Sequence, residues 1–453
     1  MSHRYIPNTD QSISEMLREI GVSDIWELYS DIDGRYILPR PPDLEGPMTE
    51  MELYEHVKNI LSKNRSGLKV FVGGGVWPHY IPAAVTEIVS RSEYVTSYTP
   101  YQPEASQGVL TALFEFQSMV AELYGVDVVN SSMYDWATAV AEAFLMAHRY
   151  RGGHRVLYAR YVSPDRLGVA RTYLAPAGLK LEEIPHNSDG ELDVEALKER
   201  LGRDVAAVYV ENPTFLGNIM SGLRAVSEVV HDAGSLLVVG AEPTSLGLLR
   251  PPGEYGADIV VGEGQPLGLP MSFGGPLMGI LGCKMDRRLL QVMPGRLVGL
   301  TETLNRDRRA FTMILRTREQ DIRRHKATSN ICTNQALCAI AAAAYLSILG
   351  KRGMQELARH IFAKTAYMIE VLSKNGVEVP LVDAPHYMEF TYRMEGWRSG
   401  EILEKLLASG IVGGIPLRSA FPELGDAILT CVTEVHSKED ILKYAGVLAG
   451  GRV

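Results

Sequence analysis

The sequence predicts an α/β protein in which a large domain with a mostly parallel sheet precedes a smaller α+β domain. Up to roughly residue 320, short apolar runs alternate with amphipathic segments of helix length, which is typical of a buried parallel sheet covered on both faces. Beyond that point, one long helical stretch leads into strand-like segments and short helices. The length of 453 residues also exceeds what a single hydrophobic core organises.

Composition excludes several classes of protein. The formal net charge is -9, so no excess of basic side chains is present to neutralise nucleic-acid phosphates. No stretch approaches the roughly eighteen uninterrupted apolar residues of a membrane span. The opening MSHRYIPNTD lacks the basic-then-apolar order of a signal peptide. We therefore expect a cytoplasmic protein with neither a nucleic-acid nor a membrane partner.

The cysteines favour a reducing compartment. They form no CxxC pair and lie in apolar or helical contexts, which is typical of unpaired structural thiols. The four are Cys283, Cys332, Cys338 and Cys431. We expect no metal site.

Residues 1–66 are predicted to form a helical arm. SISEMLREIG has helical spacing, and TEMELYEHVKNILSKN opens with a capping box of Thr49 and Glu52. Between them, LPRPPDLEGP predicts an extended crossing, because residues before proline avoid the helical region. Such an arm more often packs on another subunit or domain than forms its own core.

Residues 67–325 are predicted to form the large domain. Its strand candidates are VDVVN, RVLYA, LKLEEI, DVAAVYVENP, SLLVVG, ADIVV and LMGILGC. Helices lie between them, for example SPDRLGVARTYLAPAG, where Ser163 is a candidate cap and Pro164 suits the first turn. Binding sites in such sheets gather at the carboxyl ends of the strands.

Residues 326–453 are predicted to form the smaller domain. The long segment NQALCAIAAAAYLSILGKRGMQELARHIFAKTAYMIEVLSKNG is helical in pattern. HYMEFTYRM and AILTCVTEV read as strands, and SGEILEKLLASG and KEDILKYAGVLAG as helices, so an antiparallel sheet is expected here.

The loop VVGEGQPLGLPMSFGGP, residues 260–276, is the first candidate for a site. It follows a strand and is rich in glycine, which allows a ligand or a facing chain to approach the backbone closely. Its amide, Gln265, stands where a nucleophile would be sought.

Four stretches carry a family resemblance: GGGVWPHYIPA, RSEYVTSYTPYQPEASQGVLTALFEFQSMVAELYG, NSSMYDWATAVAEA and LRTREQDIRRHKATSNICTNQ. Together they resemble the glycine decarboxylase (P-protein) family of the glycine cleavage system, from near residue 5 to the end of the chain. The similarity is to the amino-terminal half, which in many prokaryotes is a separate alpha-type subunit paired with a homologous beta-type subunit. The resemblance implies an aminotransferase-like fold of the pyridoxal phosphate enzymes of fold type I.

In that family fold, pyridoxal phosphate forms an imine with a lysine, and the lysine position falls on Gln265. An amide cannot form this imine, because its lone pair is delocalised into the carbonyl. Where the fold usually has an aspartate for the pyridine nitrogen, this chain has Gly240 and Ala241, with Glu242 slightly displaced. The resemblance therefore implies no catalytic residue in cis, and a cofactor held by the partner subunit and not by this chain alone.

Trp136 is a third departure from the family pattern. It stands where a strand passes into a helix, the place where this fold cradles a phosphate on backbone N–H groups. An indole there would crowd out an anion. The alternative is that Trp136 points away and that Ser131 and Ser132 still bind an anionic group.

The segment YVTSYTPYQPE, residues 94–104, is the best candidate to complete the partner's substrate cavity. Its hydroxyl and amide groups can bind a small carboxylate without placing an amine near the imine, and Pro82, Pro100 and Pro103 would keep it rigid. The residues proposed to act in trans are Tyr98, Thr99, Tyr101, Gln102, Glu104 and, in VWPHYIP, His79. The alternatives are an interface loop packed through its aromatic rings and a structural histidine.

A basic run spans residues 306–326, with only three acids among many cations. Its cations are Arg306, Arg308, Arg309, Arg316, Arg318, Arg323, Arg324 and Lys326. It is either a solvated face or a patch that steers the small acidic H-protein, whose lipoyl group is the family's co-substrate. The polar residues after it are candidates for helix caps or for the cavity mouth: Asn330, Thr333, Asn334 and Gln335.

The resemblance implies a subunit of glycine dehydrogenase (aminomethyl-transferring), an oxidoreductase that decarboxylates glycine and passes the methylamine group to the lipoyl arm of H-protein. The expected assembly is an α2β2 heterotetramer with the beta-type subunit. Two alternatives stay open: a stand-alone pyridoxal phosphate enzyme that uses Lys284 or Lys326, and a scaffold without site residues.

Overall fold

The amino-terminal residues form a separate unit, 1–66, and the rest of the chain forms a second one, 67–453. The computed structural model describes residue 5 and residues 7–40, 42–331 and 333–450. Cys332, one of the four predicted structural thiols, and Pro41 of the predicted extended crossing lie outside the described residues.

Unit 1–66 is helical where the hydrophobic spacing predicts it. Its two α-helices are α1 (Asp10–Ile20) and α2 (Glu50–Leu61). The predicted capping box is present, since the Thr49 hydroxyl accepts from the Glu52 N–H and the Glu52 carboxylate accepts from the Thr49 N–H. Two 3₁₀ turns, Ile25–Tyr29 and Gly34–Tyr36, lie between the helices. Neither α-helix contains a buried residue.

The second unit contains the remaining helices. They are α3 (Ala83–Val89), α4 (Ser92–Val95), α5 (Pro103–Tyr124), α6 (Trp136–Arg151), α7 (Pro164–Leu174), α8 (Val194–Arg200), α9 (Leu223–Asp232), α10 (Arg287–Val292), α11 (Gln320–Arg323), α12 (Ala336–Lys374), α13 (Ser399–Ala408) and α14 (Lys438–Leu448). Short 3₁₀ turns are Ala175–Ala177, Pro243–Gly247, Pro252–Tyr255, Ser272–Gly274, Arg316–Arg318, Arg324–Lys326 and Pro422–Leu424.

The strands of this unit are β1 (Lys69–Val70), β2 (Val128–Val129), β3 (Arg155–Ala159), β4 (Lys180–Ile184), β5 (Val205–Glu211), β6 (Leu236–Gly240), β7 (Ile259–Glu263), β8 (Gly279–Cys283), β9 (Leu297–Glu302), β10 (Arg309–Ile314), β11 (Glu389–Tyr392), β12 (Ile411–Val412), β13 (Ile415–Pro416) and β14 (Ile428–Cys431).

A seven-stranded sheet carries the large hydrophobic core, in the order β2-β8-β7-β6-β5-β3-β4. Strands β7, β6, β5, β3 and β4 pair in parallel, whereas β8 is antiparallel to both β7 and β2. Every residue of β5, β6, β7 and β8 is buried, as expected for strands covered on both faces. The predicted α/β class with a mostly parallel sheet is confirmed.

Three smaller sheets accompany it among the described residues. Strands β11, β14 and β13 form the predicted antiparallel sheet near the carboxyl end, over a second hydrophobic cluster. Strands β9 and β10 form a two-stranded antiparallel hairpin that the sequence analysis did not identify. Strand β1 pairs in parallel with β12, so the start of this unit joins its carboxyl-terminal part. The proposed division at residues 325/326 stays a prediction.

Two local expectations are corrected. Ser163 makes no capping hydrogen bond, although Pro164 does occupy the first turn of α7. The long helix α12 is broken at Gly350, whose φ of 58° lies in the left-handed region. By length and composition α12 could cross a membrane, but half of its most apolar window is buried inside the protein, so this is weak evidence for a span.

Two glutamine side chains on α5 pair with the backbone of the β9–β10 hairpin as a neighbouring strand would. The Gln107 amide on α5 accepts from the Phe311 N–H and donates to the Phe311 carbonyl, both at 2.8 Å. Gln117, further along the same helix, pairs in the same way with Val298 at 2.9 and 3.0 Å. These amides tie the hairpin to α5, since each satisfies one backbone donor and one backbone acceptor.

Two buried histidines are expected to make the protein acid-labile. Burial lowers the pKa of both His186 and His386 to about 4. Because the unfolded chain has histidine pKa values near 6.5, it binds more protons than the native state between those values, and stability falls as pH falls from about 6.5 to 4. Acid unfolding at one fixed urea concentration measures this effect. The pH at which half of the protein is unfolded should be lower for the double variant His186→Gln/His386→Gln than for the parent. The exposed His360→Gln should leave the midpoint unchanged, and an unshifted midpoint in the double variant would refute the assignment.

Candidate active-site region

Gln265 is fully engaged by the chain's own backbone at the carboxyl end of β7. Its side chain is 1% exposed. Its Oε1 accepts from the Trp77 N–H at 2.9 Å, and its Nε2 donates to the carbonyls of Trp77 at 3.1 Å and Leu269 at 2.8 Å. This is the same two-way pairing that Gln107 and Gln117 make with strands. The amide therefore links the glycine-rich segment before Trp77 to the sheet and has no free hydrogen for a ligand.

Trp136 fills the space beside Gly240, at the end of β6. A Cβ atom on Gly240 would lie 2.8 Å from the Trp136 Cζ2 and 2.6 Å from the Tyr209 hydroxyl. No side chain, an aspartate included, fits there without moving these groups. The buried Arg166 guanidinium stacks 3.5 Å from the centroid of the indole and forms an ion pair of 2.7 Å with Glu211. The indole is thus packed on both sides, which supports the expectation that it excludes an anion.

Carboxylates of the chain itself occupy the amino terminus of α6. Glu263 accepts from the Trp136 N–H at 3.1 Å and from the N–H groups of Gln265 and Met278, both at 3.0 Å. Asp135 caps the helix by accepting from the Thr138 N–H at 2.7 Å. Burial raises the pKa of Glu263 to about 8. The N–H groups of Trp136 and Thr138, at the helix start where a phosphate would be cradled, are therefore already used.

Ser131 and Ser132, the serines considered for an anionic group, are buried and hydrogen-bonded to the segment before α12. The Asn334 amide donates to the Ser131 carbonyl at 2.9 Å and to both serine hydroxyls at 3.0 Å. The Gln335 N–H donates to Ser132 Oγ at 3.0 Å. The interpretation of Gln335 as a cap of the following helix is wrong, since it occupies the cap position of α12 without a side-chain capping bond.

Glu242 is displaced into a structural role. It accepts from the N–H groups of Thr244 and Ser245 at 2.9 Å, and so begins the 3₁₀ turn Pro243–Gly247. Burial raises the pKa of Glu242. The space that remains among Trp77, Trp136 and their neighbours is about 10 Å³, room for about one water. The residues present therefore do not fit pyridoxal phosphate.

Neither of the two lysines considered for a stand-alone enzyme lies at the position of Gln265. Lys284 pairs with Asp258, which precedes β7, whereas Gln265 follows the other end of that strand. The length of β7 separates the two by roughly 16 Å. Lys326 is exposed in the turn Arg324–Lys326.

A polar cluster joins segment 94–104 to the start of α12. The hydroxyl groups of Tyr98 and Thr333 are 2.7 Å apart. Arg296, 4% exposed, donates to the Tyr101 hydroxyl at 2.9 Å and to Asn334 Oδ1 at 3.3 Å, and lies 3.7 Å from the Glu319 carboxylate. Arg296 was missed in the sequence, although a lone arginine at the start of the apolar run LVGL is a signal of a paired, buried charge.

The other polar groups of segment 94–104 are uncommitted. Gln102 occupies the cap position of α5 but makes no capping hydrogen bond, and its side chain is exposed. Glu104 is exposed in the first turn of the same helix. Thr99 Oγ1 is buried without a hydrogen-bond partner among the described residues. The Tyr98 ring is 75% exposed although its hydroxyl is anchored.

His79 belongs to a different cluster. Its Nδ1 lies 2.9 Å from Glu434, which also accepts from the Tyr80 N–H at 2.6 Å. Burial alone would raise the pKa of Glu434, but these hydrogen bonds together hold it below its usual value. Within the described part of the chain, no hydrogen bond or ion pair joins His79 to the cluster around Tyr101.

The basic run divides into buried and exposed parts. Arg318 is buried and donates to the carbonyls of Met293, Gly295 and Leu315, and Arg316 stacks 4.9 Å from the Tyr101 ring centroid. The exposed cations are Arg308 and Arg309 near the β9–β10 hairpin tip, together with Arg306, Arg323, Arg324 and Lys326. Asn330 is exposed beside the last group.

The described residues offer neither a reactive cysteine nor a metal-binding cluster at this site. Cys283, Cys338 and Cys431 are buried and unpaired, and burial raises the pKa of the Cys338 thiol to about 11. Among the described residues, no group of three or more His, Cys, Asp or Glu side chains is placed to hold a metal ion.

Comparisons with known proteins identify the family of this chain. The family described as Glycine cleavage system P-protein matches residues 3–448. "Probable glycine dehydrogenase (decarboxylating) subunit 1" of Staphylothermus marinus is 46% identical over 97% of this chain and 96% of its own length. Its counterpart in Pyrococcus abyssi is 47% identical, with 97% of each chain covered.

Solved structures lead to the same family. The crystal structure of glycine decarboxylase (P-protein) of the glycine cleavage system, in inhibitor-bound form, superposes with a TM-score of 0.85 at 39% identity, covering 99% of this chain and 100% of that one. A cysteine desulfurase from Thermococcus onnurineus NA1, with a TM-score of 0.62 at 16% identity, shares the fold. The predicted aminotransferase-like fold and the family resemblance are confirmed, and the chain belongs to the glycine cleavage system P-protein family.

Proposed function

We propose that this chain is the subunit of a glycine dehydrogenase (decarboxylating) that does not anchor the cofactor. Gln265 carries the proposal: it stands at the lysine position and both ends of its amide are hydrogen-bonded to backbone. The packed Trp136 and the carboxylate of Glu263 on the amino terminus of α6 support it independently. Pyridoxal phosphate is then held by a homologous beta-type subunit, within an α2β2 heterotetramer in the cytoplasm.

Segment 94–104 is this chain's proposed contribution to the shared active site. The hydroxyls of Tyr98 and Tyr101 are hydrogen-bonded to Thr333 and Arg296, which restrains the segment before the partner binds. Gln102 and Glu104 are exposed and free to face the partner's cavity. An amide and hydroxyl groups can orient the glycine carboxylate without competing for the imine, and a closed interface excludes water.

His79 is proposed as a positioning residue of the same cavity wall. Its bond to Glu434 holds the turn after Trp77, and the backbone of Trp77 is paired with Gln265. The reaction of the complex releases carbon dioxide from glycine and passes the methylamine group to the lipoyl arm of H-protein. The exposed cations Arg308, Arg309, Arg323 and Lys326 would attract that acidic carrier, and Arg324, Asn330, Thr333 and Asn334 lie in the same stretch.

Co-expression with the homologous subunit tests the assignment of the cofactor. Purified alone, the chain should contain no pyridoxal phosphate, and borohydride should fix none to its peptides. Together, the subunits should copurify, bind the cofactor on the partner and exchange carbon dioxide with the glycine carboxyl group. Cofactor fixed to any lysine of this chain would refute the proposal and support the stand-alone enzyme.

Gln102→Ala tests the role of segment 94–104. Because the Gln102 side chain is exposed and caps nothing, its removal should leave the fold intact while kcat of the assembled complex falls about tenfold or more, as for a lost positioning contact. The exposed Gln291→Ala is the matched control. Unchanged turnover in Gln102→Ala and also in Glu104→Gln would favour the scaffold alternative.

A further inference from the structure

A polar cleft lies between α6, α7 and segment 320–330, and it shares Arg324 and Asn330 with the stretch proposed to attract the carrier. Its volume is about 460 Å³, within the range of small-molecule pockets. Charged and hydrogen-bonding side chains from three elements line it, including Glu142, Arg149, Tyr173, Arg324 and His325.

Glu142 is the buried polar group of this cleft. The residue is 2% exposed, and its Oε1 accepts from the Ser329 hydroxyl. Its Oε2 is buried and has no hydrogen-bond partner among the described residues. Burial raises the pKa of Glu142, against the hydrogen bond from Ser329 and the charge of Arg149. A buried polar atom without a partner beside a cavity is the mark of a group that meets a ligand or water there.

The cations face the same space from two sides. Arg149 follows Glu142 by two turns of α6 and so lies on the same helical face. Arg324 and His325 belong to the opposite wall, in the turn Arg324–Lys326. In the part of the chain that the structure describes, neither arginine side chain donates a hydrogen bond or forms a close ion pair, although Arg149 is attracted electrostatically to Glu142. Two guanidinium groups with open donors favour oxygens of an anion.

We propose that this cleft binds a small organic polyanion, a molecule with two or more carboxylate or phosphate groups, held by Arg149 and Arg324 beside the buried Glu142. The charge supports an anion, because two arginines face a single acidic side chain across the lining. The size supports a small molecule in preference to a single inorganic ion. This site does not depend on the proposed role of segment 94–104 or on Gln265.

Calorimetric titration of the full chain tests the site. The probes are citrate for carboxylates and pyrophosphate for phosphates, each compared with acetate at equal ionic strength. We expect saturable binding of at least one probe and no saturable binding of acetate. Arg149→Gln and Arg324→Gln should each weaken binding at least about tenfold, as for one lost charge-assisted hydrogen bond. Arg250→Gln, an exposed arginine elsewhere with the same change of charge, should bind as the parent does.

The ratio of the two affinities identifies the anionic group, and either order supports the site. Three results would overturn it: no saturable binding of either probe, equal weakening by Arg250→Gln, or unchanged binding in both cleft variants. Thermal unfolding of each variant verifies that it is folded, and Glu142→Gln gives a further measurement. Its amide carries no negative charge and can donate to an anion, so this variant should bind the probe at least as tightly as the parent, and weaker binding would count against the site.

Discussion

Replacing Gln265 with lysine is expected to destabilise the protein by about 3–5 kcal/mol without giving it a cofactor site, as for an uncompensated buried charge. The lysine would leave the Trp77 N–H without its acceptor and would place an ammonium group at a position that is 1% exposed. Pyridoxal phosphate would still meet the Trp136 indole and the Glu263 carboxylate. Guanidinium unfolding gives the stability, and borohydride trapping gives the covalently bound cofactor.

Gln117→Lys is the matched control for this experiment. Gln117 makes the same two-way pairing with a strand, is 7% exposed, and lies on α5, away from the end of β7. Both lysine variants should lose stability, and neither should trap pyridoxal phosphate. A Gln265→Lys protein that is as stable as the parent, or one that forms an imine with the cofactor, would contradict the structural role assigned to the amide.

Arg296→Gln is expected to reduce turnover of the assembled complex about a hundredfold, the loss expected when a positioning group shifts reacting parts by about 1 Å. Arg296 holds the Tyr101 hydroxyl, the Asn334 side chain and the partly buried Glu319. Without its charge, Glu319 loses its ion pair with Arg296, and segment 94–104 loses the hydrogen bond at the Tyr101 hydroxyl. This prediction depends on the proposed role of that segment.

The kinetic pattern distinguishes a positioning role from general loss of structure. Arg296→Gln should lower kcat more than it changes KM for glycine, while the two subunits still copurify. Tyr101→Phe, which removes only the accepting hydroxyl, should show a smaller loss of the same kind, and Arg250→Gln should retain full turnover. Equal kinetics in parent and Arg296→Gln would show that Arg296 does not position the active site. Failure of the subunits to assemble would show that its role is structural.

Much of the fold was predictable because its signals are local. The strands of the large sheet are continuous apolar runs, and the Thr49 capping box and Pro164 in the first turn follow from neighbouring residues. The hairpin β9–β10 was missed, because the glutamines that hold it lie about 180 to 200 residues earlier in the chain. Ser163 was misassigned as a cap, because nothing in the local sequence shows that its side chain makes no bond to the helix.

The candidate site also combines features that the sequence determines with features that only the tertiary structure determines. Its chemical limit was determined by the sequence alone: an amide at position 265 cannot form an imine, and glycine at position 240 supplies no carboxylate, whatever surrounds them. Only the tertiary structure decided what these residues do instead. Gln265 pairs with a backbone 188 residues away, Trp136 packs into the space at Gly240, and Arg296 joins three separate segments. Residue type sets which bonds are possible, whereas burial and the partners brought together by folding determine which ones form.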